Sequence, residues 1–347
     1  MRSFMLTGVS RLEMLEVPAP VIVNSTDVLI RMKVAGVCGS DIHYFLNGRI
    51  GSQVVEYPFT VGHECAGVVS ETGPGVTRVR PGDRVAVEPA MPCYECDQCL
   101  AGRHHTCRRL RFLGCPGQSP GCLSEYLVMP ETSCFPIPGD MNFDEAALSE
   151  PLAIGLYSVR QSMPVQDKIA GILGFGPVGM SVYLTAASKN AGKIYVTDRI
   201  ESRLDIAGAA GAEWGGNPDR EDITAMIMDR EPRGLDIVYE CCGKQEAMDQ
   251  AVDLVKPGGK IVIVGIPEFD RWSFCAEKLR RKEITVLNIR RQNHALEETL
   301  DLIDRGDVDP GAMVTHRFPF EKTGDAFSLV AEYADGVMKA MIDFPDW

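Results

Sequence analysis

The stretch Ile169-Ala170-Gly171-Ile172-Leu173-Gly174-Phe175-Gly176-Pro177-Val178-Gly179 decides the fold. Its first five residues are apolar or small and read as a buried strand. The next six carry the spacing Gly-x-Gly-x-x-Gly, and an apolar run from about Pro177 to Asn190 then reads as a helix. Gly174 permits the tight turn, Gly176 admits a pyrophosphate close to the backbone, and Gly179 lets the helix pack against the strand. The positive end of the helix dipole would face the phosphates, so Pro177 and the three glycines are candidate dinucleotide contacts. Lys193 to Asp198 reads as a second strand. A carboxylate at its end, Asp198, suits the ribose hydroxyls of NAD and repels the 2′-phosphate of NADP. Arg199 and Arg203 nearby work against that preference, because a guanidinium can take a phosphate.

Outward from this unit the same rhythm continues. Leu235–Glu240, Lys260–Val264 and Ile284–Asn288 read as further strands separated by helical stretches. Alternating βαβ units predict an α/β doubly wound parallel sheet, a Rossmann domain, over residues 152–289. Residues 1–151 have a different texture, with short β segments broken by glycine and proline. Val28–Val34 alternates as a half-buried strand does, and Arg80-Pro81-Gly82-Asp83 reads as a turn before the strand Arg84–Val87. Residues 290–347 return to that texture after one helix, His294 to Arg305. The sequence therefore predicts a nucleotide domain inserted into a discontinuous small barrel or sandwich.

The bulk numbers agree with small-molecule chemistry. The 347 residues suit two domains, and 45% hydrophobic content provides a large core. A net charge of −13 leaves no basic surplus for nucleic acid or lipid headgroups. There is no apolar run of about 20 residues and no secretory leader, so no membrane span and a cytoplasmic location are expected. Twelve cysteines in a reducing compartment point to metal or chemistry rather than disulfides.

Four of those cysteines, Cys93, Cys96, Cys99 and Cys107, have the spacing Cys-x2-Cys-x2-Cys-x7-Cys. Four thiolates this close can close a tetrahedral shell around a structural zinc. A [4Fe–4S] cluster uses four cysteines too, but a proline is expected after the last, and Arg108 follows Cys107. His104 and His105 in the same loop read as loop residues. A second set is scattered: Cys38, the pair His63-Glu64, and Glu150. A thiolate, an imidazole and one or two carboxylates suit a zinc that keeps a position open, although spacing alone does not assemble them. Cys65, Cys115, Cys122, Cys134, Cys241, Cys242 and Cys275 read as buried small apolar residues.

These motifs together resemble the zinc-containing medium-chain dehydrogenases, in the branch of sorbitol, xylitol and related polyol dehydrogenases. The resemblance runs through Cys38–Tyr44, Gly48-Arg49-Ile50-Gly51, Val61–Glu64, Pro81–Val85, the four-cysteine lobe, Ser149-Glu150-Pro151-Leu152 and the glycine fingerprint. It continues through Glu240–Gly243, Pro257-Gly258-Gly259 and Val314–Lys322. It implies a GroES-like β-barrel catalytic domain beside the Rossmann domain, NAD, two zinc ions per chain and a homotetramer. It places the catalytic zinc on Cys38, His63 and Glu64, with Glu150 reaching it directly or through water. It gives Ser40, His43 and Glu150 to the proton path, and Tyr44, Glu150 and Arg291 to the substrate. Cofactor contacts carry over to Val178, Asp198, Arg203, Val264, Gly265, Ile266, Asn288 and Arg290. The implied reaction oxidises a secondary hydroxyl of a polyol to the ketose, with hydride passing to nicotinamide C4.

Asn288-Ile289-Arg290-Arg291-Gln292-Asn293 lacks the aromatic usual near Gln292 in sorbitol dehydrogenases, which leaves the substrate open. An L-threonine or sugar-acid (aldonate) dehydrogenase would use the same metal set, with Arg290 or Arg291 meeting a substrate carboxylate. A non-enzymatic nucleotide-binding scaffold would be expected to have lost a ligand or the fingerprint, and both are kept. A zinc-free quinone reductase lacks the His-Glu pair and the lobe.

Overall fold

The computed structural model describes residues 1–345. Contacts divide the chain into two compact units. One holds Met1–Glu150, Leu296–Arg305 and the chain from Val314 onward, and the other holds Pro151–Ala295 and Gly306–Met313.

In the second unit, six strands form one parallel sheet. Their order is Trp214–Gly216, Lys193–Thr197, Ile169–Leu173, Leu235–Glu240, Val255–Ile263 and Thr285–Asn288. Ile169–Leu173 and Leu235–Glu240 have the bounds that their apolar runs predict. Val255–Ile263 starts earlier than the expected Lys260, because Val255 already pairs with Leu235 across a register shift. Pro257-Gly258-Gly259 lies inside this strand. The helix after the fingerprint is Pro177–Ser188, with proline in its first turn, where the missing N–H has no intrahelical partner to lose. Leu235, Val238, Leu254, Val255 and Ile261 are fully buried and centre the core of this unit.

The first unit is built on a seven-stranded sheet that is antiparallel except where Val314–Pro319 runs alongside Lys339–Asp343. Its central strand, Asp27–Gly36, pairs with Glu64–Thr72, Lys339–Asp343 and Tyr126–Pro130. Leu6, Ile30, Val61, Val85, Leu113, Phe320 and Phe327 fill the interior. Among the described residues, no helix is long and apolar enough to cross a membrane.

Three cysteines depart from the sequence reading. Cys65, Cys115, Cys122 and Cys134 are buried as expected, but Cys242 and Cys275 are exposed and Cys241 is half-buried. Cys241 and Cys242 follow directly on the strand Leu235–Glu240, and Cys275 precedes the helix Ala276–Lys282, so all three leave the packed elements.

Candidate metal and dinucleotide sites

The strand Asp27–Gly36 leads into the helix Gly39–Asn47, whose N-terminal cap is Cys38. Asp41, three residues on, closes a capping box: its Oδ2 accepts the Cys38 N–H at 3.1 Å. Its Oδ1 accepts the Gly62 N–H at 3.1 Å and lies 3.4 Å from His63 Nδ1. One fully buried carboxylate thus fixes both Cys38 and His63. Burial alone would push the His63 imidazole down. The charges of Asp41 and Cys38, with hydrogen bonds to both, outweigh that and hold its pKa well above the ordinary value.

Glu64 stands directly opposite Gly36 across the sheet. A Cβ on Gly36 would lie 2.4 Å from Glu64 Oε2, so the bare glycine leaves the carboxylate room to cross the strand. There it meets Lys339, whose Nζ donates to Glu64 Oε1 at 2.8 Å, to Oε2 at 2.6 Å and to the Val37 carbonyl at 3.2 Å. Both side chains are about as buried as the apolar core, 1% exposed for each residue. Burial works against the ammonium, yet Glu64, Cys38 and Glu150 together raise the pKa of Lys339.

One ligand atom each from Cys38, His63 and Glu64 lies within 4.8 Å of the other two. Soft sulfur, imidazole nitrogen and carboxylate oxygen form a set that fits zinc with a position left over. Glu150 is buried but does not come within that distance of all three. Ser40 Oγ donates to Cys38 Sγ at 3.4 Å. Tyr44 is buried, and its hydroxyl donates to Gln53 Oε1 at 3.2 Å, while the Gln53 amide donates to Cys115 Sγ at 2.8 Å. His43 is half-buried.

The four sulfurs of Cys93, Cys96, Cys99 and Cys107 converge, with separations of 3.9, 3.9 and 3.4 Å for three of the pairs. Four ligands about 2.3 Å from a tetrahedral zinc stand about 3.8 Å apart, so the cluster fits that ion. The sulfurs do not share one protonation tendency. The Glu95 N–H brings Cys93 down to about 6, while burial pushes Cys99 up to about 12.

In the second unit the carboxyl ends of the parallel strands lie in register. Leu173 pairs with Thr197 and Glu240, Glu240 with Ile263, and Ile263 with Asn288. The fingerprint, Asp198, the Val264–Ile266 segment and Asn288 therefore share one rim, the edge where α/β sheets bind ligands. A Cβ on Gly179 would lie 2.0 Å from the Gly174 carbonyl oxygen, so helix and turn touch as the motif requires. Asp198 accepts the Phe175 N–H at 2.7 Å and the Ile200 N–H at 2.9 Å. Arg203, also buried, stands 3.7 Å from it, while exposed Arg199 is paired with Asp219 at 2.6 Å. Arg290 is exposed. Arg291 is half-buried in the left-handed region at φ 56° and belongs to the second unit, while Tyr44 and Glu150 belong to the first.

Sequence reasoning missed Asp41 and Lys339. Asp41 had a local signal, the three-residue offset from Cys38 typical of a capping box. Lys339 had only a weak one, a lone cation in the apolar run Val337-Met338-Lys339-Ala340-Met341-Ile342.

Comparison with known proteins agrees with this geometry. Residues 24–139 match the alcohol dehydrogenase GroES-like domain, and residues 177–305 match the zinc-binding dehydrogenase family. The chain is 34% identical to sorbitol dehydrogenase of Bacillus subtilis, over 96% of its own length and 93% of that protein. It is 31% identical to L-idonate 5-dehydrogenase of Vitis vinifera, over 85% and 82%. Among solved structures it resembles an Escherichia coli oxidoreductase/dehydrogenase of unknown specificity, with TM-score 0.94, 31% identity and 99% of both chains covered. Other solved structures of this likeness hold NADH or NADP. With the thiolate–imidazole–carboxylate cluster, the four-sulfur lobe and the fingerprint all in place, the chain belongs to the zinc-containing medium-chain alcohol dehydrogenases, in the branch of the polyol dehydrogenases.

Proposed function

We propose that this dehydrogenase oxidises a secondary hydroxyl of a polyol such as sorbitol, xylitol or galactitol to the ketose, with NAD as the hydride acceptor. The observation that carries the reading is the convergence of Cys38, His63 and Glu64. These three would hold a catalytic zinc, with Glu150 reaching it directly or through water, and the four-sulfur lobe would hold a second, structural ion. When bound, zinc supplies Lewis acidity toward the substrate hydroxyl, and the nicotinamide supplies a hydride acceptor at C4.

The chain's own residues do the rest. Asp41 orients His63 and the Cys38 backbone. Tyr44 presents its hydroxyl to the substrate from a buried position, with Arg291 as the further substrate contact carried by the resemblance. Ser40, His43 and Glu150 take the proton released as the alcohol becomes a ketone. Asp198 favours NAD, because its carboxylate would repel a 2′-phosphate and Arg199 is already engaged by Asp219. Gly174, Gly176, Pro177, Val178 and Gly179 would receive the pyrophosphate. Val264, Gly265, Ile266, Asn288, Arg290 and Arg203 would complete the dinucleotide contacts. A homotetramer in the cytoplasm is the assembly that the family resemblance suggests.

A second reading, oxidation of a sugar acid, is favoured by the likeness to L-idonate 5-dehydrogenase and by Arg290 and Arg291 as partners for a carboxylate. Assays on sorbitol, xylitol, galactitol, L-threonine and galactonate, each with NAD and NADP, separate the two. The proposal expects kcat/KM to be highest on a polyol with NAD; a preference for the acid or the amino acid would overturn the polyol assignment. A further expected result concerns Asp41. Asp41→Asn should weaken zinc retention about 10–100-fold in competition with a chelator, as loss of a ligand-orienting carboxylate does. Unchanged retention would remove the orienting role.

A further inference from the structure

The side chain of Glu240 is completely buried at the end of a central strand, and Oε2 has no hydrogen-bond partner among the described residues. Its other oxygen is crowded. Oε1 accepts the Cys242 N–H at 2.9 Å, the Gly243 N–H at 2.6 Å and the Cys242 thiol at 3.2 Å. The Glu240 carbonyl in turn accepts the Val264 N–H at 2.8 Å and the Gly265 N–H at 3.0 Å. One residue therefore ties together the turn that leaves its own strand and the turn that leaves the neighbouring strand.

Three glycines are packed around this knot. A Cβ on Gly265 would lie 2.3 Å from Gly243 N and 2.7 Å from Glu240 Oε2. One on Gly174, the first glycine of the fingerprint, would lie 2.7 Å from Cys242 Cβ. One on Gly243, at φ +68°, would lie 2.3 Å from the Ile266 carbonyl oxygen. The turn at Cys242 and Gly243 is thus wedged between the fingerprint and the Val264–Ile266 segment with no slack. A carboxylate is a strong acceptor for successive backbone N–H groups, and burying it here is worthwhile only if the turn must keep one shape.

We infer that Glu240 is a positioning residue of the dinucleotide site, which it serves from inside the sheet by holding the Cys242–Gly243 turn against Gly174 and Gly265. The inference rests on the dinucleotide reading given above. Glu240 touches no cofactor atom itself. It sets the backbone of the segments that do.

The test titrates NADH into the full-length, zinc-loaded protein and follows nicotinamide fluorescence. Glu240→Ala leaves two N–H groups and a thiol without their acceptor, and should raise the NADH Kd by about tenfold or more. Glu240→Gln keeps an acceptor oxygen and should stay within about threefold of wild type. Gly265→Ala, which drives a methyl group into the same knot, should weaken NADH as Glu240→Ala does, and it carries the test if the alanine variant at 240 fails to fold. For the variants at position 240, the KM for the alcohol at saturating cofactor should stay at the wild-type value. The inference is overturned if Glu240→Ala or Gly265→Ala binds NADH as wild type does. It is equally overturned if Glu240→Gln is as weak as the alanine variant, or if the variants lose only active fraction and thermal stability with Kd unchanged. Failure of the wild type itself to bind NADH would remove the dinucleotide reading and this inference with it, whereas equal binding by wild type and variants removes the inference alone.

Discussion

Lys339→Met is expected to destabilise the zinc-free protein by about 3–5 kcal/mol, the usual result of removing one partner from a buried ion pair. Methionine matches the length and bulk of the lysine stem, so the packing is kept and the charge alone is lost. What remains is the Glu64 carboxylate, 1% exposed, stripped of the ammonium that contacts both its oxygens. Glu64→Gln should destabilise comparably, by stranding the cation. The double variant should recover much of the loss, because an apolar or neutral pair of similar volume avoids the desolvation of both ions. Urea denaturation of all four proteins after chelation measures the coupling; single and double variants with purely additive losses would refute it. Zinc should protect Lys339→Met more than it protects wild type, since a cation beside Cys38 and His63 replaces the missing positive charge. The pH dependence has a definite sign. The pKa of Lys339 is raised above its ordinary 10.5, so its contribution is complete below that value. It is lost only as pH rises through the folded-state pKa. Across neutral pH, wild type and Lys339→Met should therefore differ by a constant amount.

The pair at Lys339 also marks where sequence reading runs out. The parallel sheet was legible because five of its six strands centre on short apolar runs between turn residues, Trp214-Gly215-Gly216 being the one that carries no such run, and because fingerprint, helix and acidic strand end follow in one fixed local order. Local order also exposed the four-cysteine lobe, whose ligands are adjacent in the chain. The scattered set is different in kind. Cys38 and His63 can be named only through resemblance, since no periodicity brings them together. Lys339 lies 275 residues from Glu64, and its neighbours are all apolar, so its partner becomes visible only when the strands Asp27–Gly36, Glu64–Thr72 and Lys339–Asp343 are laid side by side. The error over Cys242 has a related origin. Cysteine is apolar enough to read as core, but a residue just past a strand end is placed by the turn, and here the turn carries it to the surface.

Removing metal from the four-sulfur lobe is expected to unfold that lobe while the rest of the chain stays folded. Between Cys93 and Cys107 the regular structure is one short helix, Asp97–Leu100, and one 3-10 turn, His104–Thr106. Neither is long enough to persist alone. The ion pairs Arg108–Asp97 and Arg109–Glu95 are exposed and screened by water, so they contribute little. Structural zinc, by contrast, supplies an apparent 10–16 kcal/mol or so in small four-ligand sites at neutral pH, far more than anything else in the lobe offers. The sulfurs themselves argue the same way. Cys99, pushed up to about 12 by burial, stays a thiol at neutral pH unless a cation draws off its proton. Zinc uptake there must release protons, and retention should weaken as pH falls. In Cys96→Ser we expect loss of one zinc per chain and rapid tryptic cleavage after Arg103, Arg108 and Arg109, all of which are exposed. The zinc proposed for Cys38 and His63 should stay, and with it activity at low temperature, while heat inactivation becomes faster. A Cys96→Ser protein that keeps two zinc ions, or that resists trypsin as wild type does, would show that something other than a metal organises these sulfurs.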